Sequence, residues 1–545
     1  MTTAGQLIVS LLEANGIDRV FCLPGESFLP VLDALRDSAI DTVTCRHESS
    51  AGFMALADAR LTGRPGICLV SRGPGATNAA IAIHTAQQDG LPLIVFVGQV
   101  ARKHLRRDGF QEIDYGKMFG DVAKYVAEIV DPAQIVATMA RAMNAAVSGT
   151  PGPVVIALPE DILDQEVAVP ALRPLSRALT APNEAAIDDV LRRLATAERP
   201  LIIAGGELAA GEGRQLLRKA AEHFAVPVVV SFRRHDLFAN DHPLYAGDLG
   251  IYNAQAQLAA FAESDLILAL GTRLGDLTTK GYSFPASPWP SQALVHVHSD
   301  GTMVGRHFSP DVGVVCDAPS FLARLLAAGK QAAPPDREGW IERLARLRAE
   351  ITVWTRRTAP DGVVFGNVVA ALAAAVADDA IIVPDAGISA ALLYRYFPFR
   401  PPQRLLATIA GVMGFGVPGA VATALRMPGR QIVCVVGDGG FMMTGVEIAL
   451  AVERKLPIAI FLSNNRSLGT IRFNQERDFP GRPSATDLSG ADFAALARSF
   501  GCEALTIARE DEVAPIVTDA LRRKGPVLVE VQSSLSAILP VGSKT

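Results

Sequence analysis

Short apolar runs, each closed by turn residues and separated by helical stretches, recur along the whole chain, and that alternation admits few folds. In the first 165 residues, VFCL (20–23), TVTC (42–45), ICLV (67–70) and LIVFVG (93–98) fit buried strands. The amphipathic stretch SSAGFMALADARL (49–61) lies between two of them. Strands alternating with helices imply a mostly parallel sheet covered on both faces. The rhythm resumes in PLIIAGG (200–206), VPVVVSF (226–232), DLILALG (265–271) and LVHVHSD (294–300). It returns in IIVPD (381–385), QIVCVVGDGG (431–440) and PIAIFLSNN (457–465). Pro/Ala-rich stretches at 167–185 and 327–339 interrupt it and read as linkers. The expectation is an α/β protein of three Rossmann-like domains with parallel sheets, over residues 1–170, 185–330 and 355–545. A length of 545 residues agrees with about three domains of roughly 100–200 residues each.

Composition narrows the function. Lys and Arg number 51 against 56 Asp and Glu, a formal charge of −5, so the chain carries no basic footprint for nucleic acid. The six cysteines are scattered without a CxxC pair, as expected of reduced, buried thiols. The first residues, MTTAGQLIVSLLEANG, read as an amphipathic helix rather than a signal peptide. No apolar run approaches the roughly 18 residues of a membrane span. A soluble, cytoplasmic protein with no membrane or nucleic-acid partner is expected.

The chemistry concentrates in the third block. GDGG (437–440) and the pair Asn464–Asn465 each close an apolar run, and TGVEIALAVERK (444–455) between them reads as a crossover helix. Ligands in open α/β sheets bind outside the carboxyl ends of strands, where Asp438 and Asn465 would both project. A carboxylate and an amide oxygen are hard donors suited to Mg²⁺, which wants about six oxygens, commonly including phosphates and water. Gly437, Gly439 and Gly440 let backbone N–H groups approach an anion closely. Either motif alone is ordinary turn chemistry. Their pairing across one βαβ unit is far more specific.

GDG, about 25 residues and NN resembles the thiamine diphosphate (ThDP) binding motif. The wider resemblance, to acetohydroxyacid (acetolactate) synthase-like enzymes, covers nearly the whole chain. It runs through RHESSAGFMALADARLTGRPGICL (46–69), GPGATN (73–78), FQE (110–112), GPVVIALPEDI (152–162), GVMGFGVPGA (411–420) and LGTIR (468–472). The resemblance implies pyrimidine-binding, central and diphosphate-binding domains. It makes Glu48 the catalytic carboxyl that hydrogen-bonds N1′ of the cofactor's aminopyrimidine, a role that suits a partly buried acid. Met413 would hold the cofactor bent and Gly411 would accept from its amino group. Gly387, Ile388 and Ser389 would touch the diphosphate. Asp438, Asn465 and the Ser467 carbonyl would hold Mg²⁺. Gln111 becomes a catalytic hydrogen-bond donor and Phe110 a substrate-side residue, with Lys124 either a channel cation or a solvated surface lysine. His47, beside Glu48, reads as structural. No HExxH-type spacing suggests zinc.

Three departures bear on the substrate. Asn474 stands where the family has a substrate-selecting Trp. Glu26 and Ser27 replace a Gly-Gly pair, and Arg72 stands where Ser is usual. Arg72 and Glu26 could therefore form a polar pair beside the substrate. GTRLGD (271–276), with Arg273, and HVHSD (296–300) resemble flavin-contact segments, but GDLTTKGY loses a second basic residue, which leaves FAD open. The implied reaction is decarboxylation of a pyruvate-like 2-oxo acid with carboligation to a second carbonyl. The alternatives are a simple 2-oxo acid decarboxylase or a 2-hydroxyacyl-CoA lyase. A homodimer or homotetramer with active sites between subunits follows from the same resemblance.

Overall fold

The computed structural model describes residues 2–169, 171–175, 180–329 and 335–538. Positions 170, 176–179 and 330–334 of the two expected linkers lie outside the described residues. Three six-stranded sheets carry the chain, and every strand pairing within them is parallel.

The first sheet contains β1 (Arg19–Cys22), β2 (Asp41–Thr44), β3 (Gly66–Val70), β4 (Leu93–Gln99), β5 (Tyr125–Glu128) and β6 (Pro153–Pro159), ordered β2-β1-β3-β4-β6-β5. The second contains β7 (Pro200–Ala204), β8 (Val228–Val230), β9 (Tyr245–Asp248), β10 (Leu266–Leu270), β11 (Ala293–His298) and β12 (Val312–Val315), ordered β9-β8-β7-β10-β11-β12. The third contains β13 (Ile381–Pro384), β14 (Arg404–Leu405), β15 (Ile432–Gly437), β16 (Ile458–Asn464), β17 (Glu503–Ile507) and β18 (Val527–Gln532), ordered β14-β13-β15-β16-β18-β17. The first and third sheets thus share one strand order, and the second has the order of a dinucleotide-binding fold.

All the strands read from the sequence form, within a residue or two at each end, save that β15 stops at Gly437, three residues before the end of QIVCVVGDGG. Several strands that were not read lie at sheet edges and are not apolar throughout. β5 is half-buried along its length, and β12 alternates buried with exposed residues.

Two helix expectations need correction. Helix α1 (Glu48–Thr62) is not amphipathic, since Ser49–Ala59 are all buried. One side lies on its own sheet, where a Cβ on Gly66 of β3 would meet the Ala55 carbonyl at 2.0 Å. Another meets α2 (Pro74–Asp89), where a Cβ on Gly52 would lie 2.3 Å from that of Ala82. A third meets the third domain, with Phe53 edge-on to Phe415 at 5.9 Å. A helix apolar all round is a buried helix. One continuous core therefore joins the first and third sheets. The crossover expected over 444–455 begins earlier, as α3 (Asp438–Thr444), then tightens into a 3₁₀ turn at Gly445–Glu447 before Ile448–Glu453. Asp438 is therefore the first residue of a helix, not of a loop. All six cysteines are reduced and buried. Among the described residues, no helix is long and apolar enough to cross a membrane.

Candidate cofactor and active site

The shared strand order fixes where ligands go. In both outer sheets the order reverses between two neighbouring strands, β1 and β3 in the first and β13 and β15 in the third, and the crevice beyond their carboxyl ends is the binding position. Gly387 follows β13, and Asp438 follows β15. A cavity of about 410 Å³ opens there. Its wall brings together Gly387, Ile388, Ser389, Gly411, Met413, Gly437, Asp438, Gly439, Gly440, Asn465 and Ser467.

The local geometry suits a phosphate and a hard cation. A Cβ on Gly387 (φ +131°) or on Gly437 would meet nothing within 4 Å, so the backbone there faces open space. Gly387 caps α4 (Ile388–Tyr396), whose first N–H groups have no intrahelical partner and favour an anion. Asp438 is 4 % exposed. Its Oδ1 accepts from the Gly439 amide at 2.8 Å, while Oδ2 has no hydrogen-bond partner. Burial raises its pKa against the pull of the Gly439, Arg466, Ser467 and Asn465 amides. A buried carboxylate oxygen left unpaired calls for a positive partner. Asn465 Oδ1 accepts from the Ser467 amide at 3.1 Å, which fixes the amide side chain beside Asp438. Asn464 turns away, donating to Glu530 at 2.7 Å. The Ser467 hydroxyl is spent on the Thr486 carbonyl at 3.0 Å. Only the Ser467 backbone oxygen, which accepts from Gly469 at 2.8 Å and keeps a second lone pair, is free to serve. Among the described residues, no cluster of three or more His, Cys, Asp or Glu could cage a metal by itself. The donor set therefore fits Mg²⁺ completed by phosphate and water.

Sequence reasoning missed the strut behind these loops. Asp385, at the end of β13, is 2 % exposed and accepts from the amides of Gly414 (2.9 Å), Gly416 (3.0 Å) and Ala386 (2.6 Å). A Cβ on Gly440 would lie 3.1 Å from its carboxyl carbon. One carboxylate thus braces both the loop bearing Met413 and the turn bearing Asp438. Burial drives its pKa up to about 6 despite the three amides. Asp89 braces the next stretch, accepting from Ile409 (2.8 Å) and Ala410 (2.9 Å) just ahead of Gly411. The signal for Asp385 was present, an acid closing an apolar strand before Ala-Gly.

The remaining expected residues lie elsewhere in the chain. Glu26, Glu48, Arg72 and Gln111 all follow strands of the first sheet, at its carboxyl edge, and none of them lines the cavity holding Asp438. Glu48 opens α1, is half-buried, and accepts from Asn78 Nδ2 at 2.9 Å. His47 Nδ1 accepts from the Ser49 amide at 3.2 Å and caps the helix, a structural role. Phe110 is 78 % exposed, and Gln111 beside it has φ +62°. Arg72 does not pair with Glu26. Its partner is Glu160, at 2.6 Å, because the loop after β6 comes closer than the loop after β1. Glu26 instead lines a shallow depression with Lys103 and His104. Ser27 is fully buried in the notch left by Gly98, with its hydroxyl 3.1 Å from that of Ser71. Lys124 is not a channel cation, since its ammonium donates to the Ser148 and Thr150 carbonyls. Asn474 sits half-buried on the helix Gly469–Asp478, whose Thr470 and Ile471, rather than Asn474, reach the cavity.

Comparison with known families agrees with this geometry. Residues 2–118 match the thiamine pyrophosphate enzyme N-terminal TPP binding domain, 187–325 the central domain, and 385–531 the C-terminal TPP binding domain. The chain belongs to the thiamine pyrophosphate enzymes. This thiamine pyrophosphate enzyme is 32 % identical to the acetolactate synthase isozyme 1 large subunit of Escherichia coli, over 97 % of this chain and 94 % of that one. It is 31 % identical to the probable acetolactate synthase large subunit of Methanocaldococcus jannaschii, covering 98 % and 93 %. The acetolactate synthase large subunit of Corynebacterium glutamicum is also 31 % identical, covering 95 % and 84 %. It is an acetolactate synthase-like enzyme of that family.

Proposed function

We propose that this chain is a Mg²⁺- and ThDP-dependent enzyme that decarboxylates a pyruvate-like 2-oxo acid and joins the remaining acyl unit to a second carbonyl. The observation that carries the reading is the unpaired Asp438 carboxylate oxygen, set with Asn465 and Ser467 beside the bare backbone of Gly387 and Gly437. Bound ThDP would supply the carbon nucleophile and the electron sink for CO₂ loss. The protein does the rest. Asp438, Asn465 and the Ser467 carbonyl hold the cation, and the Gly387–Ser389 turn receives the diphosphate. Met413, whose methyl lies 3.3 Å from the Cβ position of Gly439, forms the hydrophobic support beneath the cofactor. The half-buried Glu48 carboxyl would hold a proton at the pyrimidine nitrogen.

Glu48 stands on another sheet and does not reach the Asp438 cavity of its own chain, which supports active sites completed by a second subunit in a homodimer or homotetramer.

FAD does not fit the central domain. Arg273 donates to the Gln87 and Gln88 carbonyls of the first domain rather than facing a ligand crevice. Glu207, in the turn after β7 where a dinucleotide's pyrophosphate would sit, places a carboxylate there and ties it to the Ser299 amide (2.9 Å) and the Ala318 amide (3.2 Å).

The test is proton NMR of the protein with ThDP, Mg²⁺ and pyruvate. Acetolactate as product supports carboligation. Acetaldehyde alone overturns the carboligase reading in favour of a simple decarboxylase, and no consumption of pyruvate moves the donor to another 2-oxo acid class.

A further inference from the structure

Between β2 and α1 the chain leaves the first sheet, and the turn at Arg46–His47 decides where Glu48 stands. The Cys45 amide still bonds within the sheet, donating to the Cys22 carbonyl at 2.8 Å. His47, in extended conformation, caps α1 through its ring, and Glu48 is the first residue of that helix. The Arg46 amide between them reaches out of the domain. It donates to Glu447 Oε1 at 2.8 Å, 401 residues further along and in the third domain.

Glu447 is 0 % exposed. Burial raises its pKa against the pull of the Arg46 amide, the Ser50 hydroxyl, the Arg46 charge and the His47 amide, all groups at the start of α1. The Arg46 guanidinium is engaged elsewhere, with Nη2 on Glu453 at 2.5 Å and Nη1 on the Thr44 carbonyl at 2.7 Å. A buried acid costs stability unless it is hydrogen-bonded, so this one is tied to the turn it serves. An irregularity puts it there. Glu447 closes the 3₁₀ turn Gly445–Glu447 that interrupts the helix begun at Asp438, and such interruptions often mark functional positions. Thr444, just before that turn, donates to the Gly414 carbonyl at 2.6 Å, which anchors it to the loop bearing Met413. The far end of α1 is held to the third domain independently. Asp58 accepts from Arg426 at 2.6 Å, and Arg60 donates to the Ala407 carbonyl.

We infer that Glu447 is a positioning residue for Glu48, and that it acts on the active site which its own chain's metal-binding residues do not form. This inference rests on the ThDP reading and on active sites shared between subunits. In such a dimer Glu48 serves the cofactor held by the partner's Asp438, while Glu447 follows the helix that starts at its own Asp438. Each third domain then holds one cofactor and aims the acid for the other. An acid that shares a proton with a ring nitrogen must stay within hydrogen-bond reach of it, and a misplacement of about 1 Å can cost about 10²-fold. Because α1 stays docked through Asp58 and Arg60, a substitution at Glu447 loosens its first turn and not the fold.

The test puts one substitution into either half of a mixed dimer. One chain carries Asp438→Ala and supplies Glu48, and the other carries Glu48→Gln and supplies Asp438. With Glu447 intact in both, 2-oxo acid consumption by the co-expressed pair reports their one complete site. Glu447→Ala in the Asp438→Ala chain should lower that activity about 10-fold or more, and in the Glu48→Gln chain less than about 2-fold. Glu447→Gln, which can still accept from the Arg46 amide, should show the same asymmetry in smaller measure, and it carries the test if the alanine variant does not fold. Hydrogen exchange of the cofactor-free protein supplies a readout without turnover. Exchange over residues 46–50 should rise about 10-fold in Glu447→Ala, with residues 55–62 unchanged. Equal loss in both arms, loss confined to the Glu48→Gln chain, no loss at all, or unaltered exchange over 46–50 would each overturn the inference. No activity from the pair with Glu447 intact would instead defeat the shared-site reading, and the inference with it.

Discussion

Replacing Asp385 by asparagine removes a charge from the centre of the cofactor-binding loops while keeping its shape. Burial lifts this carboxyl from 3.8 to about 6, outweighing the amides of Gly416, Ala386 and Gly414. At about 1.4 kcal/mol per pKa unit, the rise corresponds to about 3 kcal/mol of linkage between protonation and folding. Because the folded state binds this proton more tightly than the unfolded chain, the stabilisation is complete below pH 3.8 and is lost as pH rises through about 6. Between pH 7.5 and pH 5 the wild type should therefore regain about 1 kcal/mol that Asp385→Asn cannot. For a unit of 150–250 residues this is about 2–4 °C in Tm. The assay is thermal unfolding of both proteins without cofactor at the two pH values, reading the difference between them so that titrations common to both cancel. The wild type should gain on the variant as pH falls. A difference that stays constant, or moves towards the variant, would refute the reasoning that burial dominates over the three amides.

Other expectations follow from the site. Glu48→Gln should lower turnover by about 10²–10⁴-fold while leaving ThDP binding measurable by calorimetry, since the side chain is needed for proton holding and not for the diphosphate. Glu48→Gln and Asp438→Ala, each inactive alone, should together restore about a quarter of wild-type activity when co-expressed, because half the dimers are mixed and each mixed dimer rebuilds one of two shared sites. No recovery would place both residues in one subunit's site. The purified protein should lack flavin absorbance, and stoichiometric flavin bands would refute the assignment of Glu207 and Arg273 as structural.

What could be read from the sequence was whatever a short segment encodes by itself. Asp438 and Asn465 were legible because each closes an apolar run, and parallel sheets put such ends on one edge. The three-sheet architecture was legible for the same reason, since β3, β7, β10 and β15 are apolar throughout and β1 and β16 nearly so. Glu48 was different. A glutamate at a helix start has an ordinary use, and only the family resemblance gave it another.

The errors came where a side chain had to choose among distant partners. Arg72 and Glu26 flank neighbouring strands, so pairing them was reasonable. Arg72 takes Glu160, 88 residues away, although β1 is the neighbour of β3 and β6 lies two strands off, so the path of the loops and not strand adjacency decides the pairing. Lys124 was left between a channel and the surface, and its exposed side chain, tied to the Ser148 and Thr150 carbonyls, fits the surface reading. The same limit hid the most informative residues. Asp385 stood openly at the end of IIVPD, but its task exists only once Gly414 and Gly416 fold back over it. Arg233 drew no reading from the sequence, and it gains meaning from a cavity whose opposite wall lies some 200 residues further along. Local pattern places chemistry at the edges of sheets. The selection among those edges, and so the substrate, depends on partners that only the tertiary fold brings together, which is why reaction type was readable here before substrate choice.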